Sequence, residues 1–268
     1  FKDIIDTSDL PTRYGSPIYE GFVPEADSAC VALARAAGAV IFGKTVTTEF
    51  AGRHPGPTAH PLKPEHTPGG SSSGSAAAVA DFHVPLAMGT QTAGSMIRPA
   101  AYCGVYALKP TFGLFSMAGV HDLAETFDTL GIMARSIEDL ALFRSVLMAI
   151  PTRPFAVVDS PPRVGFCRTP MWNEADQATH DHLEAAATRL GKAGARVVDL
   201  NLPSDFNDLL PVCWRIVVFE MARSLAHEKH TRADGISNKA RQMIADGEAT
   251  SLTTYLNDMR NIERLRIL

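Results

Sequence analysis

The chain has 268 residues, 46% of them hydrophobic and 20% charged, with a net charge of −4 from 25 Lys+Arg against 29 Asp+Glu. With a mean hydropathy near zero, this mixture excludes a disordered or collagen-like chain and predicts one large domain or two small ones. No basic block stands out, so nucleic acid is not expected as a primary partner; the uncharged stretch at residues 82–97 carries His83, Pro85 and Gln91, so no membrane span is expected.

Phe1 opens the chain and no charged-then-apolar leader follows, so no secretory signal is expected. In chain order, residues 25–37 predict a helix through Ala29, Leu33, Ala36 and Ala37, closed by Gly38. The apolar run Ala39-Val40-Ile41-Phe42 predicts a short buried strand, residues 75–81 an alanine-rich helix, and residues 84–88 a second buried strand. Ser136, followed by Glu138 and Asp139, predicts a capped helix start that runs to about residue 149. Pro151, Pro154, Pro161 and Pro162 mark a connection. Beyond it, residues 163–167 and 197–200 predict strands around a helix at 177–193, and residues from 204 onward predict helix. Strands alternating with helices predict an α/β sandwich with a largely parallel or mixed sheet. Cys30, Cys103, Cys167 and Cys213 lie far apart, without C-x-x-C spacing or a nearby His at metal spacing. Free thiols in a reducing, cytoplasmic setting are expected.

The most unusual stretch is Gly69-Gly70-Ser71-Ser72-Ser73-Gly74-Ser75. A flexible linker is the plain reading, but Pro68 before it and the run Ala76-Ala77-Ala78-Val79-Ala80 behind it argue for a turn at a helix start, where N–H groups and hydroxyls converge. A phosphate loop would need a Lys after the last glycine, and none follows. The Gly70-x-Ser72-x-Gly74 pattern matches a nucleophile elbow, but the preceding Lys63-Pro64-Glu65-His66-Thr67-Pro68 is polar and broken by proline, not a buried strand. The third reading is a serine that works with a second serine elsewhere. Gly89-Thr90-Gln91-Thr92-Ala93-Gly94-Ser95 supplies one: it follows the strand at 84–88 and precedes a short helical pattern. Its small residues could let a carbonyl approach free backbone N–H groups, as an oxyanion hole requires; an ordinary strand-to-helix turn is the alternative.

These segments, together with Gly104-Val105-Tyr106-Ala107-Leu108-Lys109-Pro110-Thr111-Phe112-Gly113, resemble the amidase signature hydrolases from about residue 2 to residue 139. The resemblance implies a mixed central sheet covered by helices on both faces. It implies a single domain over residues 1–268, with the core motifs in 1–150 and a more variable helical region in 151–268. It also implies that this chain supplies only part of a longer catalytic domain. The family's Ser–Ser–Lys triad carries onto Ser95 as nucleophile and onto Ser71, 24 residues earlier, as the bridging serine held by a cis peptide. The lysine is Lys2, 69 residues before Ser71; Lys44, in Gly43-Lys44-Thr45, lies only 27 residues before it and is expected to be structural. Thr92, Ala93 and Gly94 would form the oxyanion hole, with Ala93 where the family more often has Gly. Arg98 would bind substrate, by similarity to malonamidase-type enzymes acting on small acidic amides; pairing with a carboxylate such as Asp128 is its structural alternative. Glu49, Asp128 and the histidines show no convergent spacing and are expected to be structural or surface groups.

The expected function is hydrolysis of a small-molecule amide without metal or cofactor, with no nucleic-acid or membrane partner and a homodimer left open. A glutaminase-type subunit of a tRNA-dependent amidotransferase is the runner-up, disfavoured by Gln91 where the pattern usually has Asp. A non-catalytic fragment is a third reading. An α/β-hydrolase esterase, with Ser72 as nucleophile, is the last.

Overall fold

The computed structural model describes residues 1–156 and 159–268. They divide into two compact units, one of residues 1–152 with 215–255, the other of residues 153–214 with 256–268.

The first unit contains α1 (Ala29–Ala36), α2 (Ser73–Ala80), β1 (Leu86–Gln91), α3 (Ile97–Cys103), β2 (Tyr106–Leu108), β3 (Thr129–Ala134) and α4 (Ile137–Leu147). The strands form an antiparallel sheet in the order β1-β3-β2. Its register pairs Met88 with Ile132, Gly89 with Gly131 and Gln91 with Thr129. Every residue of β3 is buried. A strand buried on both faces is an unbroken apolar run rather than an alternating one, as Leu130, Ile132, Met133 and Ala134 show. Helix α2 packs on β1 and β3, and α4 on β3 and β2. Ala76, Val79, Ala87, Met96, Ala100, Cys103 and Met133 form one core cluster.

Small residues set the spacing between α2 and the sheet. A Cβ on Gly89 would sit 2.5 Å from both the Ser72 Oγ and the Met96 Sδ, and one on Gly74 would sit 2.4 Å from the Val46 N. Those distances are far inside van der Waals contact, so Gly89 admits the Gly/Ser turn against β1 and Gly74 admits the backbone of residues 45–46 against α2.

Ser136 caps α4 as expected, its hydroxyl accepting the Asp139 N–H at 3.1 Å. The strand expected at 84–88 is shifted: the ladder with β3 runs to Gln91, so Thr90 and Gln91 are strand residues. The helix expected at 25–37 is shorter, beginning after Ser28. One expectation is overturned. Residues 39–42 form no strand, and Val40 and Phe42 are 88% and 78% exposed. Among the described residues no strand pairs with this run to bury it. With Phe1, Leu86 and Phe143, its side chains line an open apolar groove of about 510 Å³.

The second unit holds β4 (Arg163–Cys167), α5 (Gln177–Lys192) and β5 (Arg196–Leu200). The two strands pair in parallel, as a strand–helix–strand crossover requires. Asp176 caps α5 by accepting the Thr179 N–H at 2.8 Å. From residue 204 onward the chain is mostly helical, as expected: α6 (Leu209–Ser224), α7 (Ala226–Arg232), α8 (Asn238–Ala249) and α9 (Leu252–Ile267). No helix among the described residues is long and apolar enough to cross a membrane.

Candidate active site

Backbone pairing beside β1 sets the place of Lys2. Its N–H donates to the Met88 carbonyl at 3.1 Å; on the other side the Thr45 N–H donates to the Phe1 carbonyl at 2.8 Å and the Asp3 N–H to the Thr45 carbonyl at 2.9 Å. Residues 1–3 are thereby held between β1 and residues 43–45. The Lys2 side chain is fully buried, and its Nζ donates to the Ser71 Oγ at 2.7 Å and to the Thr90 Oγ1 at 2.8 Å. Burial brings the Lys2 amine down from 10.5 to about 7, and the Asp128 carboxylate opposes that fall.

The Gly/Ser stretch is a fixed turn rather than a linker, because its polar groups are individually engaged. The Gly70–Ser71 peptide is cis. The Ser71 carbonyl accepts the Thr48 N–H at 3.2 Å. The Ser72 hydroxyl donates to the Thr90 carbonyl at 3.2 Å, that of Ser73 to the Val46 carbonyl at 3.2 Å, and that of Ser75 to the Met88 carbonyl at 2.8 Å. Ser72 is fully buried. An elbow nucleophile must present its hydroxyl, so the Ser72 reading fails.

Ser95 is joined to this turn through the main chain: the Ser72 N–H donates to the Ser95 carbonyl at 3.1 Å. Ser71 and Ser95 therefore meet at adjoining backbone positions although 24 residues separate them. The turn between β1 and α3 is clamped at both ends. At its start the Thr92 hydroxyl donates to the Asp128 carboxylate at 2.5 Å. At its end the Gln91 Oε1 accepts the N–H groups of Met96 and Ile97 at 2.9 and 3.0 Å. The backbone N–H groups of Thr92, Ala93 and Gly94 have no protein acceptor among the described residues. A turn held in this way keeps free donors in place before any charge develops near them.

Asp128 accepts the N–H groups of Leu123 and Ala124 at 2.7 and 3.1 Å besides the Thr92 hydroxyl. Burial pushes its carboxyl up, while those hydrogen bonds and the Lys2 charge pull it down. The Asp128 pairing considered for Arg98 is not made. Arg98 is exposed, and its Nε donates to the Gly70 carbonyl at 3.1 Å. Lys44 turns elsewhere: its Nζ reaches the Thr12 Oγ1 at 2.5 Å and the Asp3 carboxylate at 3.3 Å. Glu49 accepts the Ser16 hydroxyl at 2.8 Å and the Ser237 N–H at 3.2 Å.

Sequence reasoning assigns no role to Thr90, and reads Gln91 only as a departure from a pattern. Their shared signal is the displaced strand. Once β1 runs to Gln91, Thr90 lies two residues beyond Met88, the strand residue that pairs with Lys2.

A family model described as Amidase matches residues 1–266. The chain is 44% identical over 168 residues to a glutamyl-tRNA(Gln) amidotransferase subunit of Thermus thermophilus, covering 60% of this chain and 36% of that protein. It is 36% identical over 266 residues to the corresponding protein of Symbiobacterium thermophilum, covering 92% of this chain and 53% of that one. The structure superposes on the peptide amidase of Stenotrophomonas maltophilia with a TM-score of 0.81 at 30% identity, over 98% of this chain and 64% of that one. The chain thus spans roughly a third to a half of these two curated relatives, 36% and 53%. The family match runs through the segment that seats Lys2 against Ser71 and through the turn that carries Ser95, and on that basis the chain belongs to the amidase family.

Proposed function

We propose that the chain hydrolyses carbon–nitrogen amide bonds of small molecules through an acyl-Ser95 intermediate. The observation that carries this reading is the 2.7 Å hydrogen bond from the buried Lys2 amine to Ser71, whose neighbour Ser72 is tied to Ser95. A lysine with its ordinary value of about 10.4 is a poor base near neutrality. One held near 7 is half deprotonated there. The Ser95 Oγ attacks the amide carbonyl carbon and gives its proton to the Ser71 Oγ, as Ser71 passes its own proton to the Lys2 Nζ. The carbonyl oxygen takes the electron pair and is held by the N–H groups of Thr92, Ala93 and Gly94. The C–N bond then breaks, and the amine leaves with the proton returned through Ser71. Water attacks the acyl-serine by the reverse relay.

Arg98 supports the finer reading of a malonamidase-type substrate. It starts one helical turn beyond Ser95 and leaves guanidinium N–H groups open to solvent, so it can bind a substrate carboxylate. The names of the two relatives favour a second reading, in which glutamine is the amide and tRNA a partner of the assembly. One assay separates them: ammonia release from malonamate, glutamine and a neutral short-chain amide, with and without tRNA. Malonamate turnover that vanishes in Ser95→Ala supports the first reading. Turnover of glutamine alone supports the second. No Ser95-dependent release from any amide refutes both.

A further inference from the structure

Lys2 has two hydroxyl neighbours, and the relay above uses only one of them. Thr90 is the other. It is buried, it lies in the doubly covered strand β1, and its Oγ1 stands 2.8 Å from the Lys2 Nζ, beside the Ser71 Oγ at 2.7 Å. Its position is fixed by the ladder, because Thr90 is paired in register with Leu130. Its carbonyl also accepts the Ser72 hydroxyl, so the strand residue that touches Lys2 holds the Gly/Ser turn as well.

We propose that Thr90 is a positioning residue for Lys2: beside the ammonium, which donates to both hydroxyls, it accepts a charge-assisted hydrogen bond, and in the neutral amine it keeps one N–H so that the lone pair left by the lost proton faces Ser71. This rests on the reading of Lys2 as the base. A neutral primary amine has two N–H groups and one lone pair. If neither N–H is held, the group rotates about the Cε–Nζ bond and the lone pair meets Ser71 only part of the time. Thr90 removes that freedom. When the proton arrives from Ser71, the same oxygen faces a cation, and such bonds are shorter and stronger than neutral ones. The other charged group acting on Lys2 is Asp128, itself engaged by Thr92, Leu123 and Ala124. The Asp3–Lys44 pair beside Lys2 is turned onto itself.

The test replaces the oxygen and keeps the shape: Thr90→Val, with Thr90→Ser as the rescue. In protein labelled with ¹³C at lysine Cε, the Lys2 resonance is assigned by its loss in Lys2→Met and titrated by NMR. Losing one charge-assisted acceptor should move the Lys2 midpoint down by about one pH unit in Thr90→Val, and Thr90→Ser should restore it. In the active enzyme kcat should fall about tenfold or more, with KM little changed, and the acid limb of the rate profile should follow the NMR midpoint. An unmoved midpoint in Thr90→Val, or one that Thr90→Ser fails to restore, overturns the proposal. If Thr90→Val does not fold, Thr90→Ala removes the same oxygen and is read in the same way. The titration is repeated in Ser95→Ala, where it needs no turnover. Failure of the amidase reading would therefore show in the kinetics while the Thr90 contact is judged on the midpoint alone.

Discussion

Replacing Lys2 by Met should stabilise the chain, and by an amount that shrinks as pH rises. About 3.5 pH units separate the buried amine, near 7, from its ordinary 10.5. The folded-state value lies below the unfolded one. Between about pH 7 and 10.5 the unfolded chain binds a proton that the folded chain does not, so stability rises with pH; below about 7 both states are protonated and the full penalty applies. That penalty is of the order of 5 kcal/mol. Lys2→Met removes it but strands Ser71 and Thr90, each of which loses a hydrogen bond worth about 1 kcal/mol. The Met variant should therefore be more stable by about 3 kcal/mol at pH 6. Between pH 6 and pH 9 the native chain should close most of that gap, by about 3 kcal/mol. Urea unfolding of both proteins at pH 6, 7.5 and 9, followed by circular dichroism, measures it, and titrations common to both cancel in the difference. A gap that stays constant across this range, or widens with pH, would refute the claim that Lys2 is held neutral by burial.

Lys44→Met should behave in the opposite way: it leaves the partly buried Asp3 carboxylate without its cation, should cost about 3 kcal/mol in chemical denaturation, and should leave kcat of the folded enzyme within a few-fold. Gln91→Ala removes the acceptor for the Met96 and Ile97 N–H groups, so kcat should fall by more than KM rises and stability should drop by about 1–3 kcal/mol; Gln91→Glu, which keeps an oxygen there, should lose less of both. Arg98→Ala should cost acidic amides about ten- to a hundredfold in kcat/KM and spare neutral ones, and Arg98→Lys should rescue only in part because it lacks the planar fork. Equal losses on both substrate classes would assign Arg98 to holding the Gly70 carbonyl instead.

Ser71 is legible in the sequence because it lies in a long, ordered motif, whereas Lys2 is reached only through the family resemblance, which places it 69 residues earlier. Composition or periodicity alone does not join residues 69 positions apart. What escapes a reading of the sequence depends on strand register. Thr90 belongs to the Gly89–Ser95 segment, yet nothing local says that it faces Lys2; that follows only from a ladder that ends at Gln91 rather than at residue 88. Gln91 is visible as a substitution, but its role as acceptor for α3 needs the three-dimensional turn. The run Ala39-Val40-Ile41-Phe42 misleads because hydrophobicity signals a preference for burial and does not supply the neighbour that satisfies it. The Ser136 and Asp176 caps are decided by groups three residues apart. The acids that follow Ser136 mark its cap in the sequence, whereas Gln177, Ala178 and Thr179 after Asp176 carry no such mark.

The claim that Ser95 carries the acyl group is tested most directly by labelling the protein with a fluorophosphonate and mapping the adduct by peptide mass spectrometry. One adduct is expected, on Ser95, absent in Ser95→Ala and strongly slowed in Lys2→Met. An adduct on Ser71 or Ser72, or labelling that survives in Ser95→Ala, would contradict it.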